Sequence, residues 1–256
     1  MGIIFDIIIL ALAVAPVIWL LRYVYKKDKY EKEPLGMLIK AFVFGIIAIP
    51  LDLILVGIIN SIWSGSMVFY SAFWEAGIPE EFCKWALFML VIWRNKNFNE
   101  FFDGIVYATF IGLGFACVEN IMYVFGAESF FGSIGISVLR ALLSVPGHFL
   151  FGVLMGYYLA MAKYNPQNRK KYLIYSLVIP MLAHGVFDYL LMLASSLSDA
   201  VPFLGVVLFI VFIYFDVKLW KMGIKRINEM QEASKIQHEA SVLENIFNGT
   251  NNKNEE

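Results

Sequence analysis

Seven separate apolar runs dominate this chain, each long enough to cover about 30 Å of hydrocarbon as a helix. They are Ile3 to Tyr25, Leu35 to Ile59, Val68 to Trp93, Gly104 to Phe125, Ile134 to Ala162, Tyr172 to Ala194 and Val201 to Trp220. Inside lipid the backbone has no water to bond, so runs of this length must fold as helices that satisfy their own N–H and C=O groups. The chain is 60% hydrophobic and only 16% charged, whereas a soluble domain carries about a quarter charged residues. The expected fold is therefore all-α, a polytopic membrane helix bundle of about seven transmembrane helices.

The connecting segments alternate in basic content. Lys26, Lys27, Lys29 and Lys32 follow the first run, no Lys or Arg lies between Ile59 and Val68, and Arg94 and Lys96 follow the third run. The hairpin around Gly126 to Gly132 has none; Lys163, Arg169, Lys170 and Lys171 occupy the next loop, Ser195 to Ala200 has none, and Lys218, Lys221, Lys225 and Arg226 close the last span. The positive-inside rule then places the N-terminus outside and the C-terminus in the cytoplasm. Lacking a basic n-region and followed by a basic cluster, the first run reads as an uncleaved anchor and not as a secretory signal, although Ala11 and Ala13 imitate a cleavage site. A formal net charge of -1 gives no ground for a nucleic-acid partner, and none is expected.

Beyond Gly223 the chain changes character, with Ile224, Ile227, Met230, Ala233, Ile236, Ala240 and Leu243 at roughly helical spacing. Residues 1–222 are read as the transmembrane domain, 223–247 as a cytoplasmic amphipathic helix and 248–256 as a disordered tail. Cys83 and Cys117, the two cysteines, lie in different spans at no metal or disulfide spacing, and read as small apolar fillers.

Ionisable groups within the spans carry the functional argument, because each costs a few kcal/mol at such depth and persists where chemistry or transport needs it. Glu80, Glu81 and Lys84 share the third run, Glu119 lies in the fourth, His148 in the fifth, and His184 and Asp188 in the sixth. At about 1.5 Å per residue, Glu80 falls roughly 18 Å, His184 about 15 Å and Glu119 about 9 Å from the outer ends of their runs. All could meet in the outer half of the bilayer. Residues four apart share a helix face, as do Glu80 with Lys84 and His184 with Asp188. A lone Glu80–Lys84 pair would read as structural, but one lysine cannot neutralise two glutamates, and the spare acid suits proton transfer. Asp103 reads as a helix cap, Asp52 and Asp216 as single acids without an assigned partner, and Gly152 with Gly156 as a close-packing step. Pro79 is placed to open a shorter helix with the glutamates in its first turn.

Several stretches in order resemble the PrsW-type intramembrane proteases, within the wider group of CAAX-prenyl proteases and the APH-1 subunit of gamma-secretase. They are Asp28-Lys-Tyr-Glu-Lys-Glu-Pro34, Glu80-Glu81-Phe-Cys-Lys84, Phe115-Ala-Cys-Val-Glu119-Asn120, His148 and Ala183-His184-Gly-Val-Phe-Asp188. Against the prenyl-protease pattern, Lys84 stands where an arginine comes one residue later, Glu119 replaces a histidine and Asp188 an asparagine. The resemblance implies a multi-pass protein of a bacterial cell membrane. It also implies cleavage of a membrane-anchored protein near its extracytoplasmic end, a single-pass anti-sigma factor in the type case, as the first step of envelope-stress signalling.

The chemistry expected is water activation by Glu80 or Glu81 without a cofactor. His184 would serve the oxyanion, Asp188 would orient it, Lys84 would hold the second glutamate, and Glu119 and His148 would complete the cavity. The alternative is zinc held by Glu119, His148, His184 and one of the pair, although no H-E-x-x-H motif supports it. A proton-coupled transporter would bury similar groups but show inverted repeats, and none is found. A non-catalytic scaffold would tolerate loss of the carboxylates.

Overall fold

The computed structural model describes residues 2–251, and every element among them is helical. Two long helices open the chain, α1 (Ile3–Lys27) and α2 (Leu35–Ile62). A composite run follows, made of the single turn α3 (Val68–Tyr70), a π-helical segment (Ser71–Gly77) and α4 (Ile78–Val91). Then come α5 (Asp103–Phe125), α6 (Phe130–Leu142), α7 (Ser144–Tyr164), α8 (Arg169–Ala200) and α9 (Pro202–Asn251).

Among the described residues, six helical stretches are long and apolar enough to cross a membrane. The run Val68 to Trp93, third of the seven expected spans, is not among them: its helix runs on from Val68 through the π-helical segment to Val91, but it carries Glu75, Glu80, Glu81 and Lys84. The run Ile134 to Ala162 departs further from expectation. It begins earlier, at Phe130, and divides at Leu143 into α6 and α7. Pro146 explains the break, because it has no N–H for the carbonyl of Leu142 and its ring crowds that carbonyl, so the helix must restart.

In the centre of the bundle α5 packs against α7, and α1, α2, α8 and α9 surround this pair. The α5–α7 contact is backbone to backbone: a Cβ on Gly156 would come within 2.2 Å of the Gly104 carbonyl oxygen, and one on Gly152 within 3.0 Å of the Ala108 oxygen. Large apolar side chains on the outer faces of α1, α2 and α9, such as Ile3, Leu53 and Ile210, are exposed. In water that pattern would aggregate, and in lipid it is the solvated surface.

The basic loops gather at one end of the bundle. There the Asn99 side chain bonds Glu31, and Lys163 lies over the Phe98 ring. α9 continues past the span without interruption and clasps this end. Its buried Ile227 and Met230 join the main core, and Ser234 accepts the Phe102 N–H at 2.9 Å. Gln231 donates to the Lys27 carbonyl and Gln237 to that of Asn99. The tail expected over 248–256 lies, from residue 252 onward, outside the described residues. Asp103 does open α5, but its carboxylate turns back to accept the N–H groups of Asn99 (2.9 Å) and Glu100 (2.6 Å).

Candidate active site

The first turn of α4 carries the centre. Just before it the backbone makes wide turns, with the Ile78 N–H bonding the Phe73 carbonyl five residues back. Pro79, without an N–H to offer, costs nothing at a helix start. A π-helical stretch shifts the phase of whatever follows, and such stretches recur at functional sites. Here it turns Glu80, Glu81 and Lys84 inward, and all three are buried. α8 comes in against the same stretch because position 185 is glycine: a Cβ there would lie 2.3 Å from the Phe73 ring. His184 is thereby brought beside the glutamates.

All seven residues singled out in the sequence are brought into one connected group. Lys84 Nζ stands 2.7 Å from Glu81 Oε1, 3.1 Å from Glu80 Oε2 and 3.1 Å from His148 Nδ1, over the Phe115 ring at 4.0 Å. His184 Nδ1 lies 3.1 Å from Glu81 Oε1, and its Nε2 lies 3.3 Å from Asp188 Oδ2. His148 Nε2 lies 2.8 Å from Glu119 Oε2. The Phe151 ring stacks on His184 with centroids 4.5 Å apart, fixing the plane of that imidazole.

Two members of the network were not read from the sequence as site residues. Arg140, on α6, reaches Glu119 Oε2 at 2.7 Å and Asn120 Oδ1 at 2.9 Å, and covers the Tyr123 ring. Asn120 in turn donates to the Ala13 carbonyl at 2.6 Å, tying α1 to the group. A charge within an apolar run was the available signal for Arg140.

The two glutamates are not equivalent. Glu81 is enclosed, its side chain 1% exposed and clamped between Lys84 and His184. Glu80 lines a cavity of about 630 Å³, together with Glu119 and Asp188. A smaller adjoining cavity of about 260 Å³ reaches both histidines and Arg140. Carboxylates and imidazoles beside space for water, within a lipid-embedded bundle, can move protons and stabilise charge where bulk solvent cannot.

One subset can hold a metal ion. Glu80, Glu81, His148 and His184 each offer a ligand atom within 4.8 Å of the others. Both histidines turn Nδ1 toward this set and Nε2 toward a carboxylate, the second hydrogen bond that metal-binding imidazoles usually make. Glu81 Oε2 is buried with no partner. The donors thus fit a zinc-like ion, while the Lys84 ammonium occupies the space among them and would have to yield it.

Together, fold and site define a polytopic membrane protein with a polar centre enclosed by its spans. Residues 33–215 match the family described as PrsW family intramembrane metalloprotease, and the chain belongs to this family of intramembrane proteases. The Protease PrsW of Oceanobacillus iheyensis is 36% identical over 206 residues, spanning 80% of this chain and 93% of the relative. That of Bacillus subtilis is 33% identical over 230 residues (90% and 98%), and that of Clostridioides difficile 33% over 229 (88% and 92%). No solved structure matches the chain. With these bacterial relatives and its apolar spans, the protein is a multi-pass bacterial membrane protein.

Proposed function

We propose that the protein hydrolyses a peptide bond of a membrane-anchored protein near its extracytoplasmic end, with Glu80 as the base that activates water. The observation that carries this reading is the asymmetry of the pair: Glu80 borders the cavity, whereas Glu81 is shut away behind Lys84 and His184. Glu80 takes a proton from water as the oxygen attacks the carbonyl, then hands it to the leaving amine. His184, its Nε2 held by Asp188, swings its Nδ1–H from Glu81 to the oxyanion as it forms. Lys84 balances the charge of Glu81 and holds the geometry, and His148 fixes Lys84 from the far side. The substrate class implied by the family resemblance is a single-pass anti-sigma factor, cut first in a stress-signalling cascade.

A second reading is favoured by the unpartnered Glu81 oxygen and the paired imidazoles. Glu80, Glu81, His148 and His184 would then hold a divalent ion, which would supply Lewis acidity at the scissile carbonyl. In that reading Glu119 and Asp188 orient the two imidazoles, and Lys84 moves aside.

The test is reconstitution in vesicles with a single-pass substrate and mass spectrometry of the fragments. Glu80→Gln should lower the rate by at least about 100-fold. Glu80→Gln, Glu81→Gln and His184→Ala all cleaving at the wild-type rate would sink the protease reading. Metal analysis of the active protein separates the two routes. Stoichiometric zinc, lost with activity on chelation, regained on addition and raising the unfolding temperature, would exclude the glutamate-only scheme.

A further inference from the structure

The large cavity is acidic beyond what the proposed chemistry uses. Five carboxylates line it, those of Asp52, Glu75, Glu80, Glu119 and Asp188, and neither lysine nor arginine does. Four of the five have partners. Glu80 has Lys84, Glu119 has Arg140 and His148, Asp188 has His184, and Glu75 accepts from the Asn60 amide at 3.0 Å. Asp52 has none. Its residue is 7% exposed, and its Oδ1 is buried without a hydrogen-bond donor.

Position makes this unpaired acid informative. Asp52 follows Pro50 in α2, ten residues before that helix ends at Ile62, which sets it about 15 Å from the outer end. That is close to the depth of the reactive group, and Asp52 lines the same cavity as Glu80, Glu119 and Asp188. A buried carboxylate without a partner is costly when ionised, and a well-placed cation that pairs with it offsets part of that cost. Every cation of the centre is already taken: Lys84 by two glutamates, and Arg140 by Glu119 and Asn120. No cation of the centre is left for Asp52, which can hold a proton while the cavity is empty and exchange it for a basic group arriving from outside.

We infer that Asp52, with Glu75 on the neighbouring wall, forms a specificity subsite for a basic side chain of the substrate, a lysine or arginine within a few residues of the bond to be cut. This rests on the protease reading and adds the class of sequence that the cavity selects. Such a side chain threads its aliphatic stem along the apolar lining and sets its ammonium or guanidinium against Asp52. The pairing forms only when the substrate segment lies in the cavity, so it reads sequence and depth together.

The experiment uses the full-length protein in vesicles and single-pass substrates in which each residue flanking the cut is changed in turn to Lys, Gln or Glu. At one position kcat/KM should rank Lys over Gln over Glu, with Lys exceeding Gln by about 10-fold or more. In Asp52→Asn the Lys-to-Gln ratio should fall to within about threefold of unity, and Glu75→Gln should lower it by a smaller factor. The ratio is internal to each variant, so partial loss of folded protein does not affect it. Equal cleavage of all substrates by the wild type, or an unchanged ratio in Asp52→Asn, overturns the subsite and leaves the protease reading intact. A wild type that cuts no substrate overturns both.

Discussion

Arg140 Nη2 lies 2.7 Å from Glu119 Oε2, the same oxygen that stands 2.8 Å from His148 Nε2. One carboxylate oxygen therefore joins a guanidinium on α6 to the imidazole that braces Lys84 on α4. Without Arg140, Glu119 would keep a single partner and more freedom to turn, and the imidazole would lose its fixed orientation. Arg140 is a positioning residue in this scheme, because it acts through Glu119 and His148.

Arg140→Ala is accordingly expected to lower kcat by roughly 10- to 100-fold, the usual cost of removing a group that orients a reactive imidazole or its carboxylate. Arg140→Lys should recover part of the loss, since an ammonium can meet Glu119 but cannot also bond Asn120 while covering Tyr123. A purely structural role would instead lower the unfolding temperature and leave the rate per folded molecule unchanged. Cleavage rates normalised to folded protein, with KM measured separately, discriminate the two.

The seven ionisable residues were legible because charge in an apolar run is conspicuous and helical spacing aligns it. Glu80 with Lys84 and His184 with Asp188 need only a 3.6-residue period to be placed on one face. Arg140 escaped because Ile134 to Ala162 reads as one span, and only the restart at Leu143 sets α6 apart and points its arginine at Glu119. The special role of Asp52 was equally hidden. A lone acid in α2 becomes informative only when the cavity shows that every neighbouring cation is occupied. The π-helical stretch before Ile78 also had no signature, since Gly77 and Pro79 announce a change in the helix but not its kind.

Backbone contact between α5 and α7 sets the distance between Glu119 and His148, so the small residues there should be sensitive to size. A Cβ at Gly156 would meet the Gly104 oxygen at 2.2 Å, and that neighbour is backbone and cannot rotate away. Gly156→Ala should destabilise the protein by roughly 1–3 kcal/mol, the range for overpacking, and Gly156→Leu should prevent folding. Gly57, in α2, has open space instead, with nothing within 4 Å of where a Cβ would stand. There Gly57→Ala should leave stability unchanged or raise it by up to about 1 kcal/mol through helix propensity. Thermal unfolding in detergent measures both, and equal effects at the two positions would refute the packing argument.

A second group of acids sits at the basic end, outside the spans, and makes a prediction about pH. Asp28, Glu33 and Glu100 are all buried in the loops beneath the α9 extension, and none forms an ion pair among the described residues. Burial raises the Asp28 carboxyl to about 6, with the Glu33 N–H and Lys32 opposing the rise and Glu31 adding to it. Burial, then the charge of Asp28, lifts Glu100 to about 7, and burial likewise raises Glu33, which faces Asp103 and bonds the Tyr107 hydroxyl. Carboxyls raised in the folded state bind protons more tightly there than in the unfolded chain. Their stabilising contribution is complete below about pH 4, the ordinary carboxylate range, and disappears as pH rises through 6 to 7. The sum is on the order of a few kcal/mol. Lys32 and Lys163 are the nearby cations, and Tyr164 adds a buried hydroxyl. The α9 extension, held here through Ser234, Gln231 and Gln237, should loosen as pH rises. Hydrogen exchange of the amides from Ile227 to Gln237, corrected for intrinsic rate, should show stronger protection at pH 5.5 than at pH 8, and the difference should shrink in an Asp28→Asn, Glu100→Gln double variant. Protection that increases with pH would show that these carboxyls are ionised and paired in the folded protein.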